Sequence, residues 1–372
     1  MPRWGMTMTE GQLVQWLVEV GQTIAPGQEI LEIETEKIAN VLEASGSGIL
    51  RRKFAAEQTV AGIGTLLGVL ADEGVSDAEI DAFVAAFSVQ QKTREATESN
   101  GPRARAVAVT DGQINVLSLG ESDQTPAVLI HGFGGDLNSW LFNHAELAAA
   151  RPVHALDLPA HGASSIPTRA MTVENLASAV AQALGEIGIT RAHFIAHSLG
   201  ADIAMTLARH SPGLVASLSL ISPAGLGEEI NVQYLQEFLG AERRPQMSKA
   251  LSVLFADPAQ VRREMVDDVL RFMRTDGVPA ALRTLADDAF PGGKQRLLLR
   301  GTLTSVRAPV QIIWGEADRI IPSKHSDGFS SSVRVRLLPD TGHMAHLEQA
   351  GRVNELLTDF MASADTRHGT EE

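Results

Sequence analysis

Apolar and glycine positions between residues 11 and 75 follow a rhythm that runs twice. Gly11 and Leu13 open a first half that extends to Ile33, and Gly48 and Leu50 open a second, while Gln22-Thr23-Ile24 in the first answers Gln58-Thr59-Val60 in the second. Short apolar runs of this kind predict strands, and two such halves predict a small two-fold barrel with residues 34 to 38 projected as a hairpin tip. Lys37 occupies that tip. Next, Ile80, Phe83, Val84 and Phe87 fall at helical spacing behind Ser76 or Asp77 as a cap, which predicts a short helix. From Ser88 to Arg103 the pattern is lost and the chain turns polar, as a linker does. If flexible, such a linker spans on the order of 20 Å and tethers what it carries at roughly millimolar effective concentration.

From residue 104 onward, apolar strand-like runs alternate with helical patterns, predicting a mostly parallel sheet covered on both faces. The clearest strands are Val128-Leu129-Ile130, Val153 to Leu156, His193 to Ala196, Leu218 to Ile221 and Val310 to Trp314. Between them, Val173, Leu176, Val180, Leu184 and Ile187 line one helical stripe behind Thr172 as cap. Residues from about 225 to 300 break the alternation with helical segments such as Val261 to Met273, predicting an inserted helical cap.

Length and composition narrow the classes. A chain of 372 residues exceeds the usual single-core limit, so two domains are expected. The net charge of -14 argues against nucleic acid or an anionic membrane as partner. No run is long and apolar enough to span a bilayer and no secretory leader opens the chain, so a cytoplasmic protein is expected. With no cysteine, disulfides, thiolate nucleophiles and cysteine-based metal sites are excluded, and thiol chemistry must come from a cofactor or a substrate. No histidine pair has metal-binding helical spacing beside a carboxylate, so no metal is expected.

Candidate chemistry gathers at strand ends. Ala196-His197-Ser198-Leu199-Gly200 follows one buried strand and precedes a helix, the strand, sharp turn and helix setting of a nucleophile elbow. A serine hydroxyl needs a histidine base, and that base needs a carboxylate to fix its tautomer. Asp318 and His343 each follow a strand and come in the order serine, acid, base; Glu316 and His346 are the alternative acid and base. His131, Asp157 and His161 are read as loop braces and His197 as a support beside the nucleophile.

Two resemblances sharpen this reading. Met1 to Gly11, Glu34-Thr35-Glu36-Lys37-Ile38, and Glu43-Ala44 followed by Gly46 and Gly48 resemble lipoyl domains of the 2-oxo-acid dehydrogenase family. Biotin carriers share that fold but place methionines on both sides of the lysine, where this chain has Glu36 and Ile38; the resemblance implies lipoate attached to Lys37. Residues 104 to about 363 resemble the α/β-hydrolase family, through His131-Gly132-Phe133-Gly134-Gly135, Asp157 to Ser164, the elbow, and Gly342-His343 with Glu348. The family's patterns favour Asp318 over Glu316 and His343 over His346, and imply that the backbone N–H groups of Phe133 and Leu199 form the oxyanion hole. Ala196 and Ala160 stand where the family places glycine.

The expected architecture is therefore multidomain: an all-β lipoyl barrel over 1–75, a short helix and linker over 76–103, and an α/β-hydrolase fold over 104–366 with its cap at about 225–300. This pairing resembles the acyltransferase components of acetoin dehydrogenase complexes. The resemblance implies a small acyl substrate, lipoate as cofactor, coenzyme A as acceptor, and two partner enzymes: a thiamine-dependent acetoin-cleaving component and a flavin-dependent dihydrolipoyl dehydrogenase. A homo-oligomer is expected. The peripheral subunit-binding module and the His-x-x-x-Asp-Gly motif of ordinary acyltransferase components are missing, so Ser198, His343 and Asp318 must supply the chemistry. A serine ester or thioester hydrolase with a lipoyl carrier arm is the alternative, and a carrier on an inert scaffold a third.

Overall fold

The computed structural model describes residues 10–34, 39–44, 46–62, 64–85, 87, 104–296 and 298–368. The chain divides into two compact units, Met1–Arg103 and Ala104–Glu372.

In the first unit, strands β1 (Glu10–Trp16), β3 (Glu29–Glu34), β4 (Ala39–Glu43) and β6 (Thr59–Gly62) make a four-stranded sheet in the order β4-β3-β1-β6. Strands β2 (Thr23–Ile24), β5 (Gly48–Lys53) and β7 (Gly68–Ala71) make a three-stranded one in the order β2-β5-β7. Period-two alternation sends Leu13, Leu31 and Ile33 inward from the first sheet, while Ile24 and Leu50 of the second pack with Val18 and Ala44. Trp16 packs against both clusters and donates its indole N–H to the Ala55 carbonyl at 3.1 Å. The repeat is less symmetric than its sequence suggests: Ile24 is fully buried, whereas Val60, its counterpart, is 61% exposed. β3 and β4 pair to their ends, with Glu34 opposite Ala39, so Lys37 lies in the connection between two paired strands. Lys37 itself is outside the described residues.

Residues 77–85 form helix α1, closed at its start by a reciprocal cap: Ser76 Oγ accepts from the Glu79 amide and the Glu79 carboxylate accepts from the Ser76 amide at 2.9 Å. Arg51 and Arg52 of β5 reach Asp77 and Asp81 of this helix. Of the apolar stripe expected there, Ile80 is buried and Phe83 is 53% exposed, so the helix rests on the barrel through a narrower face than its pattern implies.

The second unit is built on an eight-stranded sheet. Its strands are β8 (Arg105–Val109), β9 (Gly112–Leu119), β10 (Ala127–Ile130), β11 (Val153–Leu156), β12 (Ala192–His197), β13 (Val215–Ile221), β14 (Val310–Gly315) and β15 (Val333–Leu338), in the order β15-β14-β13-β12-β10-β11-β9-β8. The six strands from β10 onward are mutually parallel, and β8 and β9 add an antiparallel edge. Every residue of β10, β12, β13 and β14 is buried, which explains their mostly apolar sequences, and the polar exceptions pair across strands, His193 with Ser217 and Gln311 with Ser219. Helices α2 (His144–Ala148), α3 (Val173–Glu186) and α4 (Leu199–His210) follow β10, β11 and β12 in turn. α3 begins at the expected cap, where Thr172 Oγ1 accepts from the Asn175 amide at 3.2 Å, and buries Val173, Leu176, Val180 and Leu184.

Between β13 and β14 the chain leaves the sheet and forms α5 (Val232–Gly240), α6 (Arg244–Ser252), α7 (Arg263–Met273), α8 (Val278–Ala289) and α9 (Arg300–Ser305). Helices α10 (Ala345–Glu348) and α11 (Ala350–His368) close the chain after β15. No helix of the described residues is long and apolar enough to cross a membrane.

Candidate active site

The functional edge of an open parallel sheet lies at the carboxyl ends of its strands, and Ser198, Asp318 and His343 follow the ends of β12, β14 and β15. β12 ends at His197, α4 begins at Leu199, and Ser198 between them has φ 52° and ψ −119°. A side-chain-bearing residue in this region is strained, on the order of 1–3 kcal/mol, and persists only where its surroundings hold it. Here the Ser198 amide donates to the Ile221 carbonyl at 3.0 Å, and its own carbonyl accepts from Ala201 at 3.0 Å and Ala224 at 3.1 Å. Gly200 permits the turn, because a Cβ there would stand 2.5 Å from the carbonyl oxygens of Ile130 and His131.

The acid and the base come together. His343 Nδ1 donates to Asp318 Oδ2 at 2.8 Å, with both side chains almost wholly removed from solvent. The same Asp318 oxygen accepts the Trp314 indole N–H at 2.9 Å, and Oδ1 accepts the amides of Ile320 at 2.8 Å and Ile321 at 3.0 Å. Burial pushes the Asp318 carboxyl upward, but the charge and hydrogen bond of His343 and the two amides outweigh it, so the group lies below its ordinary value and stays ionised. Glu316, by contrast, is exposed.

Two neutral histidines shape the loop after β10. His131 Nε2 accepts from the Leu158 amide at 3.0 Å, which leaves the proton on Nδ1 to donate to the Gly132 carbonyl at 2.8 Å. His161 repeats the arrangement, accepting from the Gly134 amide at 3.2 Å and donating to the Pro159 carbonyl at 2.9 Å. Burial pushes His131 down to about 4, and burial with His131 nearby pushes His161 down to about 3. Asp157 serves the same loops, its carboxylate accepting from Leu137, Asn115 and Ala163. Gly132 carries this loop against the elbow: a Cβ there would lie 3.0 Å from Ser198 Cβ and 2.9 Å from His197 Nδ1. Cap aromatics cover the loop from the other side, with Phe238 against Gly134 and 5.9 Å edge-on from Phe133, and Phe272 stacked on His161 at 5.9 Å.

His197 and His346 lie behind the base. His197 Nε2 meets the His343 carbonyl at 3.0 Å, and the rings of His343, His197, His346 and Trp140 follow one another at 4.8, 4.6 and 4.6 Å. His346 is fully buried, is pushed down to about 3 chiefly by burial, and among the described residues has no hydrogen-bond partner on either ring nitrogen. It is a neutral packing ring here.

Asp202, one turn after Ser198, escaped sequence reasoning. Every residue from Leu199 to Ala208 is buried, so a carboxyl at this position enters the core; Oδ1 is without a partner. Burial, aided by Glu174 and Asp288 and opposed by Arg296 and Arg209, raises it to about 7. The folded state therefore prefers the protonated form, and this preference stabilises the fold fully below the unfolded value near 4 and is lost as pH rises through 7. Urea midpoints of the native chain and Asp202→Asn should accordingly diverge with pH. The variant should gain on the order of 2 kcal/mol relative to the native chain between pH 5 and pH 8. A difference constant across that range would contradict the assignment.

Trp314 as a donor to the acid also went unread in the sequence, and Glu348, read there only as part of the pattern around His343, gathers backbone amides. Among the described residues no three His, Asp or Glu side chains are placed to hold a metal ion.

Comparison with known proteins covers both units. Residues 125–350 match the model of the alpha/beta hydrolase fold, and residues 1–70 match that of biotin-requiring enzymes. The chain is 41% identical over 362 residues, 97% of each chain, to the dihydrolipoyllysine-residue acetyltransferase component of the acetoin cleaving system of Pseudomonas putida. It is also 41% identical to the protein of that description from Cupriavidus necator, over 96% of this chain and 95% of that one. Among solved structures it is similar in fold to a meta-cleavage product hydrolase from Pseudomonas fluorescens, with TM-score 0.64, 19% identity and coverage of 70% of this chain and 98% of that one. Naproxen esterase from Bacillus subtilis is likewise similar, with TM-score 0.61, 22% identity and coverage of 77% and 99%.

Proposed function

The chain belongs to the family of dihydrolipoyllysine-residue acetyltransferase components of acetoin cleaving systems, and on that premise we propose that it passes an acetyl group from a lipoyl-lysine thioester to coenzyme A through Ser198, His343 and Asp318. Residues 1–75 are the lipoyl-binding domain, 76–103 the connecting helix and linker, and 104–366 the hydrolase-type domain that carries the chemistry. The hydrogen bond of 2.8 Å between His343 Nδ1 and Asp318 Oδ2, on the same sheet edge as the strained elbow, is the observation that carries the reading.

The paired ends of β3 and β4 fit an attachment site in their connection, and lipoate joined to Lys37 would supply the thiol that bears the acetyl group. At the catalytic edge, Ser198 Oγ attacks the carbonyl carbon of the acetyl thioester while His343 Nε2 takes its proton. Asp318 holds the Nδ1–H tautomer and stabilises the imidazolium. The backbone N–H groups of Phe133 and Leu199 donate to the developing oxyanion; Leu199, first in its helix, has no intrahelical acceptor for its N–H. The carbon–sulfur bond breaks, the leaving thiolate takes the proton from His343, and Ser198 is left acetylated. The thiol of coenzyme A then gives its proton to His343 and attacks the ester, and the return of that proton to Ser198 Oγ restores the enzyme. A thiamine-dependent component would load the arm, and a flavin-dependent dehydrogenase would reoxidise it.

Water competes for the acetyl-serine, so transfer requires a site that excludes it. Phe238 and Phe272, packed from the cap onto the oxyanion loop, support this reading. Incubation with acetyl-dihydrolipoamide tests it: acetyl-coenzyme A should form in place of acetate when coenzyme A is added, and acetate released at an undiminished rate would make the protein a hydrolase. Expression with a lipoate ligase should add one lipoyl group by intact mass, absent from Lys37→Arg; an adduct that survives the substitution would move the arm elsewhere.

A further inference from the structure

His343 lies at the junction of three elements, and its backbone is tied on every side. The His343 amide donates to the Leu254 carbonyl at 2.8 Å, and its carbonyl meets His197 Nε2 at 3.0 Å. On either flank the amides turn to one carboxylate. Glu348 accepts from Gly342 at 3.0 and 3.1 Å through its two oxygens, and from Met344 at 3.2 Å. It also accepts from Ala256 at 2.8 Å, an amide that belongs to the cap segment between α6 and α7 rather than to the loop of the base.

That segment, Ser252 to Ala256, is bound to the acid's loop as well. Arg319, next to Asp318, donates to the Ser252 carbonyl at 2.9 Å and to the Phe255 carbonyl. The fit is close enough that a Cβ on Gly342 would stand 2.6 Å from the Ala256 nitrogen and 2.7 Å from the Leu254 oxygen. Charge-assisted bonds from three amides to one carboxylate are stronger and more directional than neutral ones, so Glu348 fixes the loop of the base and the cap segment relative to each other. A base must sit within hydrogen-bond reach of the proton it takes, and a displacement of about 1 Å can cost on the order of 10²-fold in rate.

We propose that Glu348 is a positioning residue that couples the cap to the base: its carboxylate joins Ala256 to both flanks of His343, so that the imidazole is held for proton transfer while the cap segment is seated. The inference rests on the proposed role of His343 and gives the cap a part in catalysis beyond covering the acyl group. Glu348 does not touch the reacting atoms; it acts through the backbone that carries His343.

The test uses the full-length protein and acetyl-dihydrolipoamide, with Ser198→Ala as the reference. Glu348→Gln keeps the size of the side chain but replaces one acceptor oxygen with an amide NH₂, a donor that faces other N–H donors. It should lower kcat on the order of 10²-fold with little change in KM. The reaction of Ser198 with a fluorophosphonate probe, which also requires the base, should slow in parallel, and the acidic limb of the kcat profile against pH should move. Gly342→Ala leaves the carboxylate intact and wedges the cap segment away from the base, so it should reproduce the loss and carries the test alone if Glu348→Gln does not fold. A lower melting temperature with native kcat, native probe reactivity and an unmoved pH profile would make Glu348 a brace only and overturn the proposal. Turnover that survives in Ser198→Ala would instead defeat the functional reading beneath it.

Discussion

Ser198→Ala should lower turnover of an acetyl thioester by about 10⁴- to 10⁶-fold, because the other groups of the site have no nucleophile left to assist. The loss should be chemical rather than structural. Ser198 holds its turn through backbone bonds to Ile221, Ala201 and Ala224, none of which uses the hydroxyl. Alanine at φ 52° meets the same backbone strain that serine already bears, so the melting temperature should stay close to the native value. A small residual rate is expected from the oxyanion donors and from substrate binding alone. Steady-state kinetics with acetyl-dihydrolipoamide checks this directly, and a variant within tenfold of the native rate would place the chemistry on another residue.

Asp318→Asn should cost about 10⁴-fold in kcat by way of the histidine tautomer. The amides of Ile320 and Ile321 both donate to Oδ1, so they would select the amide oxygen of an asparagine for that position. Its NH₂ group is then forced into the place of Oδ2, opposite the Trp314 indole N–H and His343 Nδ1. A donor facing Nδ1 moves the imidazole proton to Nε2, where it blocks acceptance of the Ser198 proton. The opposed N–H groups of Trp314 and the new amide should also destabilise the fold by about 1–3 kcal/mol, the cost of a buried donor left unmade. Kinetics across pH together with thermal melts separates the two effects. An Asp318→Asn enzyme with near-native kcat would show that Asp318 is not the orienting acid.

Much of this site is legible in the chain because its residues follow strands whose burial is written in their composition. β12 runs Phe194-Ile195-Ala196 into His197, Gly200 comes two residues after Ser198, and α4 starts at once, a local arrangement that spacing alone can express. Asp318 and His343 likewise follow strands, β14 with Ile312-Ile313-Trp314 buried and β15 with Val333 and Val335 alternating with Arg334 and Arg336. What spacing cannot express is which polar groups cross between elements. Trp314 reads as a core residue of its strand, yet its single N–H is spent on the acid. Glu348 reads as part of a short pattern, and its partnership with Ala256 spans 92 positions of sequence. Burial within repeats is equally hidden: Val60 repeats the place of Ile24 in the sequence but not in the core, since the two sit on different sheets with different neighbours. The apolar face of α1 shows the same limit at Phe83, where the hydrophobic period is right and the ring is 53% exposed nonetheless.

The central claim, an acetyl group held on Ser198 and released to a thiol, is tested most directly by a single turnover. Enzyme in excess over labelled acetyl-dihydrolipoamide, quenched early and digested, should carry the label on the peptide that contains Ser198, and a chase with coenzyme A should move that label into acetyl-coenzyme A faster than water removes it. Label that never reaches Ser198, or that leaves as acetate at one rate whether or not coenzyme A is present, would contradict the account.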